Sequence, residues 1–199
     1  MTYQSFKKGE GSSDSYGKLE AIQLPDLTGL KVLDLACNEG FFSYKAAELG
    51  ASKVVGIDFV QSHIDKAKAR SVDFSNLDEM PKFYQCSWDK ITKYRYGKFD
   101  VVLLLSSLHY AENQQKLILK IADLIVPGGL FIFEGGIHNG PESWAEYHRG
   151  VGDVYYPNFS TIVEMLEPSF EIQAYDRSVP QKGDTVERWV IHSIRSNNA

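Results

Sequence analysis

KVLDLACNEGFF, Lys31 to Phe42, is the stretch that decides the fold. Val32, Leu33 and Leu35 read as a buried strand, and Phe41 to Leu49 reads as a helix. Between them lie Ala36, Cys37, Asn38 and Gly40, all small or turn-tolerant. Glycine accepts backbone angles closed to other residues, and asparagine is among the few that tolerate the left-handed region. A turn of this kind lets a ligand come close to the backbone, and the helix behind it presents free N–H groups and the positive end of its dipole. Strand, tight turn and helix make half of a nucleotide-binding unit. An ordinary strand-to-helix connection is the alternative reading.

The second half follows in Lys53 to Asp58, KVVGID, an apolar strand ending in a carboxylate 24 positions after Asp34. In dinucleotide-binding units an acidic residue about 20 positions on accepts hydrogen bonds from ribose hydroxyls. Working outward, Lys82–Cys86 predicts a third strand and Phe99–Leu105 a fourth, apolar on both faces as at the centre of a parallel sheet. Gln114–Val126 has helical spacing (Leu117, Ile118, Ile121, Leu124, Ile125) and is stopped by Pro127-Gly128-Gly129. Leu130–Glu134 is a fifth strand, Ser160–Leu166 a helix, and Phe170–Tyr175 and Glu187–Ile194 two more strands. Gln61–Ser71 reads as a surface helix with a basic, solvated face. Alternating strands and helices imply a parallel sheet with right-handed crossovers. The loop Asp176–Val186 has no helical pattern, so one of the last two strands runs antiparallel.

The chain at this point resembles the class I S-adenosylmethionine-dependent methyltransferases. Their first strand carries an acidic residue and a glycine-rich loop, D-x-G-x-G-x-G; here the positions are Asp34, Ala36, Asn38 and Gly40, and only the last glycine is kept. Asp58 matches the ribose-binding position, and FDVVLLLSSLHY…VPGGLFIFE matches the fourth and fifth strands with their Pro-Gly-Gly turn. The resemblance covers about residues 28–195. It implies an α/β, doubly wound Rossmann-like sheet of seven strands in the order 3-2-1-4-5-7-6, the last antiparallel. It also implies S-adenosylmethionine as cofactor. Residues 28–199 would form this domain, and 1–27 an N-terminal lid or a disordered tail; Tyr3, Phe6 and Tyr16 are more aromatic than a tail needs.

Ligands of open α/β sheets bind outside the carboxyl ends of the strands, at the switch point. That rule, with the resemblance, selects Asp34, Ala36, Asn38 and Gly40 for the amino-acid part of the cofactor, Asp58 for its ribose and Phe59 for its adenine. Ser87, Trp88 and Asp89 end the third strand, and Leu105 and Ser106 the fourth. Asp89 either contacts the adenine amino group or caps the next helical turn. His109, in SSLHY, and His138, in GGIHNG, are candidate bases for a hydroxyl acceptor, since an imidazole titrates near neutrality. His109 alternatively only packs. Glu134 is placed to hold either histidine or an acceptor hydroxyl. Residues 135–159 are the least regular part and are expected to cover the substrate. Tyr16, Trp144, His148, Arg149 and Tyr155 are the further substrate candidates, aromatics for a ring and Arg149 for an anion.

Composition narrows the function. The 199 residues are enough for one domain, 43% of them apolar. A net charge of −5 argues against a broad nucleic-acid surface. Cys37 and Cys86 make neither a disulfide framework nor a metal site, so reduced thiols of the core or of a pocket are expected. The polar stretch Thr2–Gly17 lacks a signal peptide's apolar core, and no apolar run is long enough to span a bilayer, which suggests a cytoplasmic location. LPDLTGLKVLDLACNEG…VVGID and DVYYPNFSTIVEML also look similar to the enzymes tailoring the tRNA wobble uridine and to methyltransferases of bacterial glycans. The acidic balance and short N-terminal part favour a small polar metabolite or saccharide methylated on oxygen. A tRNA-modifying enzyme, or a non-catalytic cofactor-binding partner subunit, are the alternatives.

Overall fold

A computed structural model describes residues 2–149, 152–181 and 183–197, with the side chains of Tyr94, His148 and Arg149 outside the description. β1 (Lys31–Leu35), β2 (Lys53–Asp58), β3 (Lys82–Gln85), β4 (Phe99–Leu105) and β5 (Ile125–Ile137) run parallel. A hairpin, β6 (Trp144–Arg149) and β7 (Gly152–Pro157), forms a separate two-stranded sheet. β8 (Phe170–Arg177) and β9 (Glu187–Arg195) complete the main sheet, whose order is β3-β2-β1-β4-β5-β9-β8. β9 is antiparallel to both neighbours. Without the inserted hairpin this is the order 3-2-1-4-5-7-6 with the last strand reversed; the hairpin shifts the numbering. Residues 135–159, expected to be irregular, are regular for most of their length, because cross-strand pairs such as Ala145 with Tyr156 close the hairpin.

Six α-helices are described: α1 (Ser15–Ile22), α2 (Phe41–Glu48), α3 (Gln61–Ala69), the short α4 (Lys93–Tyr96), α5 (Gln114–Leu124) and α6 (Phe159–Leu166). Side-chain caps fix the starts of three. Asp14 accepts from Gly17 N–H, Asn113 from Lys116 N–H and Asn158 from Thr161 N–H. α5 stops at Leu124 and strand geometry resumes at once. Pro127-Gly128-Gly129 is then taken up as a bulge, the register against β4 shifting between Phe99 and Val101. α1 and α2 cover one face of the sheet, burying Ile22, Val32, Phe41, Leu103 and Ile132. α5 and α6 cover the other, burying Leu33, Ile118, Phe131 and Met165. Both faces of β4 are therefore dry. No helix among the described residues is long and apolar enough to cross a membrane.

Candidate active site

The turn after β1 is built from left-handed residues. Ala36, Asn38 and Gly40 all have positive φ, at 57°, 51° and 86°. A left-handed alanine costs about 1–3 kcal/mol, sustained only where the surroundings dictate it. Here the surroundings are visible. Asn38 N–H donates to Asp58 Oδ2 at 2.9 Å, and Cys37 N–H to the Ile57 carbonyl at 3.0 Å. Asp58 Oδ1 accepts from Val60 N–H at 2.9 Å and faces His63 Nδ1 at 3.2 Å. The carboxylate thus ties the ends of β1 and β2 together and is set at the strand edge with lone pairs remaining. Phe59, beside it, leaves 69% of its surface exposed. Ala36 and Asn38 are the half-exposed residues of the turn. Cys37 and Cys86 are free and buried.

Two of the sequence-selected residues point inward. Asp34 is buried and accepts from Ser43 Oγ of α2 at 2.6 Å. Burial pushes its pKa up to about 7. Gly40 has a packing role: a Cβ there would meet the Phe83 ring at 2.8 Å and Ala67 at 3.2 Å. Both residues shape the turn from beneath. Ser87 accepts from Asp89 N–H and so caps the single turn Trp88–Lys90, the task that the alternative reading gave to Asp89. Asp89 is exposed.

The N-terminal residues are ordered against this turn. Gly40 offers α2 no side-chain cap. Gln4 supplies it from a distance: its Oε1 accepts from Phe41 N–H at 2.9 Å and its Nε2 donates to the Cys37 carbonyl at 3.3 Å. Glu39 is buried and accepts from Lys66 Nζ at 2.7 Å and from Tyr3 N–H at 3.4 Å. Tyr16 packs edge-on against Phe41 and donates its hydroxyl proton to the Phe6 carbonyl, which pins the segment. Its hydroxyl is thereby turned to the N-terminal segment.

A buried ionic cluster lies where β4, β5 and β9 meet. Glu134 is wholly buried and takes a two-pronged contact from Arg188, 2.8 Å from Nε and 3.0 Å from Nη2. Ser106 Oγ donates to Glu134 at 2.7 Å and accepts from Lys18 Nζ at 2.6 Å and from Arg188 Nη2 at 2.5 Å. Lys18 Nζ lies 3.7 Å from Glu134, and Asp184 is 3.5 Å from Arg188 Nη1. Lys18 and Arg188 outweigh the cost of burial and hold the Glu134 carboxyl down at about 2. The charge of Glu134 raises Arg188 in return, while burial pulls Lys18 down. Glu134 was expected to hold a histidine or an acceptor; it holds Arg188, Lys18 and Ser106.

Above this cluster opens a cleft of about 170 Å³, walled by Tyr3, Ser106, His109, Tyr110, Asp184 and Arg188. His109 is buried and its ring stacks on Tyr156 of the hairpin, centroids 4.8 Å apart. The hairpin therefore backs His109, and the cleft walls come from the residues after β4, the N-terminal segment, the β8–β9 connection and the start of β9. His138 is arranged differently. Its Nδ1 accepts from Gly140 N–H at 3.0 Å, which assigns the proton of the neutral ring to Nε2 and occupies the free lone pair. That leaves the neutral His138 ring its Nε2–H to donate. Trp144 and Tyr155 are exposed on the hairpin, Tyr155 donating to Glu146. The side chains of His148 and Arg149 lie outside the described part. Trp88 and Asp89 line a second cleft with Tyr110 and Lys116. Leu105 is buried at the end of β4.

Sequence reasoning missed Gln4, Lys18, Glu39 and Arg188. One signal was present: Glu134 at the end of the apolar run LFIF requires a cation, and Arg188 shares the alternating face of Val190 and His192.

Known proteins share this fold. Residues 26–149 match a family model described as a methyltransferase domain. The chain is 29% identical over 173 residues to a ubiquinone biosynthesis O-methyltransferase of Psychrobacter cryohalolentis, covering 81% of this chain and 64% of that protein. The chain spans from 43% to 64% of the length of the first curated relatives it matches. A putative S-adenosylmethionine-dependent methyltransferase of Listeria monocytogenes superposes with a TM-score of 0.74 at 21% identity, over 92% of this chain and all of that one (100%). The magnesium protoporphyrin IX methyltransferase of Synechocystis, crystallised with S-adenosylmethionine, superposes with a TM-score of 0.67 at 20% identity, over 86% and 72%.

Proposed function

The chain belongs to the methyltransferase-domain family, and from that premise we propose that it transfers a methyl group from S-adenosylmethionine to an oxygen of a small polar acceptor. The observation that carries the reading is the joint geometry of the β1 turn and Asp58. Two half-exposed residues in left-handed conformation lie in the turn, and one of them, Asn38, fixes the carboxylate through its N–H.

That set fits the cofactor chemically. An acceptor-only carboxylate suits vicinal ribose hydroxyls, and the exposed Phe59 ring suits a flat base. Ala36 and Asn38 would lie along the amino-acid part, with Leu105 and Ser106 opposite and Ser87, Trp88 and Asp89 at the adenine end. When bound, S-adenosylmethionine supplies a methyl group on an electrophilic sulfonium. The task left to the chain is to align the acceptor and take its proton. His109 is the base, since it walls the cleft and Tyr156 holds its ring in place.

An acidic chain and a small cleft support a small-molecule or glycan acceptor over a nucleic acid. The O-methyltransferase relatives support oxygen as the target. Two buried free cysteines suit the reducing cytoplasm. The ordered N-terminal segment, with its Gln4 cap, supports a lid role for residues 1–27. Incubating the protein with methyl-labelled S-adenosylmethionine and cell extract, then identifying labelled compounds by mass spectrometry, tests the proposal. A labelled methyl ether or ester is expected. Label on nitrogen or carbon would overturn the oxygen assignment.

A further inference from the structure

The family match leaves out several of the residues that wall the cleft. It covers 26–149, whereas Tyr3, Asp184 and Arg188 lie outside it and only Ser106, His109 and Tyr110 lie within. The common part of the fold thus supplies the floor, and the flanking segments of this chain supply the remaining walls.

The charges of those walls are matched. Arg188 is engaged by Glu134 through two nitrogens and faces Asp184 through a third. Lys18 reaches Ser106 and Glu134. Among the described residues around this cleft, two cations meet two carboxylates, all four side chains 5% exposed or less. Buried charges already paired cannot serve an incoming ion without breaking an existing pair. A charged acceptor would lose its hydration here and gain no free counter-ion. A neutral acceptor with hydroxyl groups meets suitable partners: the Tyr3 phenol, the His109 ring and the Tyr110 ring, which is 49% exposed. Burial raises the Tyr3 phenol further above its ordinary value, so it stays neutral beside Ser13. The volume, about 170 Å³, is below that of drug-sized sites and admits one ring-sized group.

We infer that this cleft, between the N-terminal segment and the β8–β9 connection, binds a neutral, hydroxyl-bearing, ring-sized acceptor and rejects anions and cations, with Asp184 setting the charge balance. The inference rests on the methyltransferase reading only in calling the ligand the acceptor.

Crystals of the full chain soaked with three size-matched fragment sets test it: neutral polyols and phenols, carboxylates, and amines. Neutral fragments are expected against Tyr3, His109 and Arg188, with carboxylates and amines absent from the cleft. Asp184→Asn removes one negative charge while keeping an acceptor for Gln181 N–H, which Asp184 now receives at 2.7 Å. Carboxylates should then enter. Charged fragments in the parent cleft, an empty parent cleft, or an unchanged pattern in D184N would each overturn the inference. Titration of the same protein with S-adenosylmethionine reads the methyltransferase assignment separately, so the two can fail independently.

Discussion

Asp34→Asn is predicted to stabilise the protein at and above neutral pH while leaving cofactor affinity intact. Asp34 is buried under the turn with Ser43 Oγ as its hydrogen-bond partner, and its pKa stands at about 7. The unfolded value is about 3.9. Between those values the native state keeps a proton that the unfolded state has released. The unfolded state then binds fewer protons, so stability falls as pH rises from about 4 to 7 and stays lower above it. A gap of roughly 3 units at 1.36 kcal/mol each gives about 4 kcal/mol as an upper bound. Asparagine keeps the shape and an acceptor for Ser43 but has nothing to ionise. The advantage of D34N over the parent should therefore grow across pH 5 to 8. Urea titrations of both proteins at several pH values measure it. A constant difference across that range would refute the reasoning, and a loss of S-adenosylmethionine binding in D34N would mean that Asp34 contacts the ligand after all.

Other outcomes follow from the same contacts. Gly40→Val should lower stability by about 2–4 kcal/mol, since a Cβ meets Phe83 at 2.8 Å and φ is 86°; thermal melts of the ligand-free protein report it. Arg188→Met leaves the Glu134 carboxylate buried with Lys18 and Ser106 alone and should cost about 3–5 kcal/mol, most of it recovered by adding Glu134→Gln, as chemical denaturation of the single and double variants would show. Because Glu134 is held at about 2, its contribution is present above about pH 4.3 and is lost as pH falls towards 2; an acid-unfolding curve of E134Q should be flatter there. His109→Gln should slow turnover by about 10²–10⁴-fold at unchanged cofactor affinity, whereas His138→Gln, whose Nδ1 already serves Gly140, should slow it far less; steady-state kinetics separates them.

Much of the fold was legible because the relevant signals are local. Strand periodicity, the small-residue turn and the carboxylate of Asp58 each act within a few residues. The hairpin was not legible: β6 and β7 carry Glu146, His148 and Asp153 among their aromatics and show no clean alternation. The site was legible along the strand ends but not where distant segments meet. Gln4 caps a helix 37 positions away, and Lys18 and Arg188 reach Ser106 over 88 and 82 positions. No local pattern encodes such pairings. The packing roles of Asp34 and Gly40 were not legible for a related reason. A residue that shapes a turn from below and one that touches the ligand from above both call for small or acidic side chains. Only the packing of Phe83 and Ser43 separates them.

Asp58 is the proposed anchor of the cofactor. Isothermal titration of the parent and of Asp58→Ala with S-adenosylmethionine tests it. One saturable site is expected in the parent, weakened by about 1–3 kcal/mol in D58A. The ligand-free D58A protein should also melt lower, since Asn38 and Val60 N–H lose their acceptor. Absence of binding in the parent, or equal affinity in the two proteins, would contradict the account.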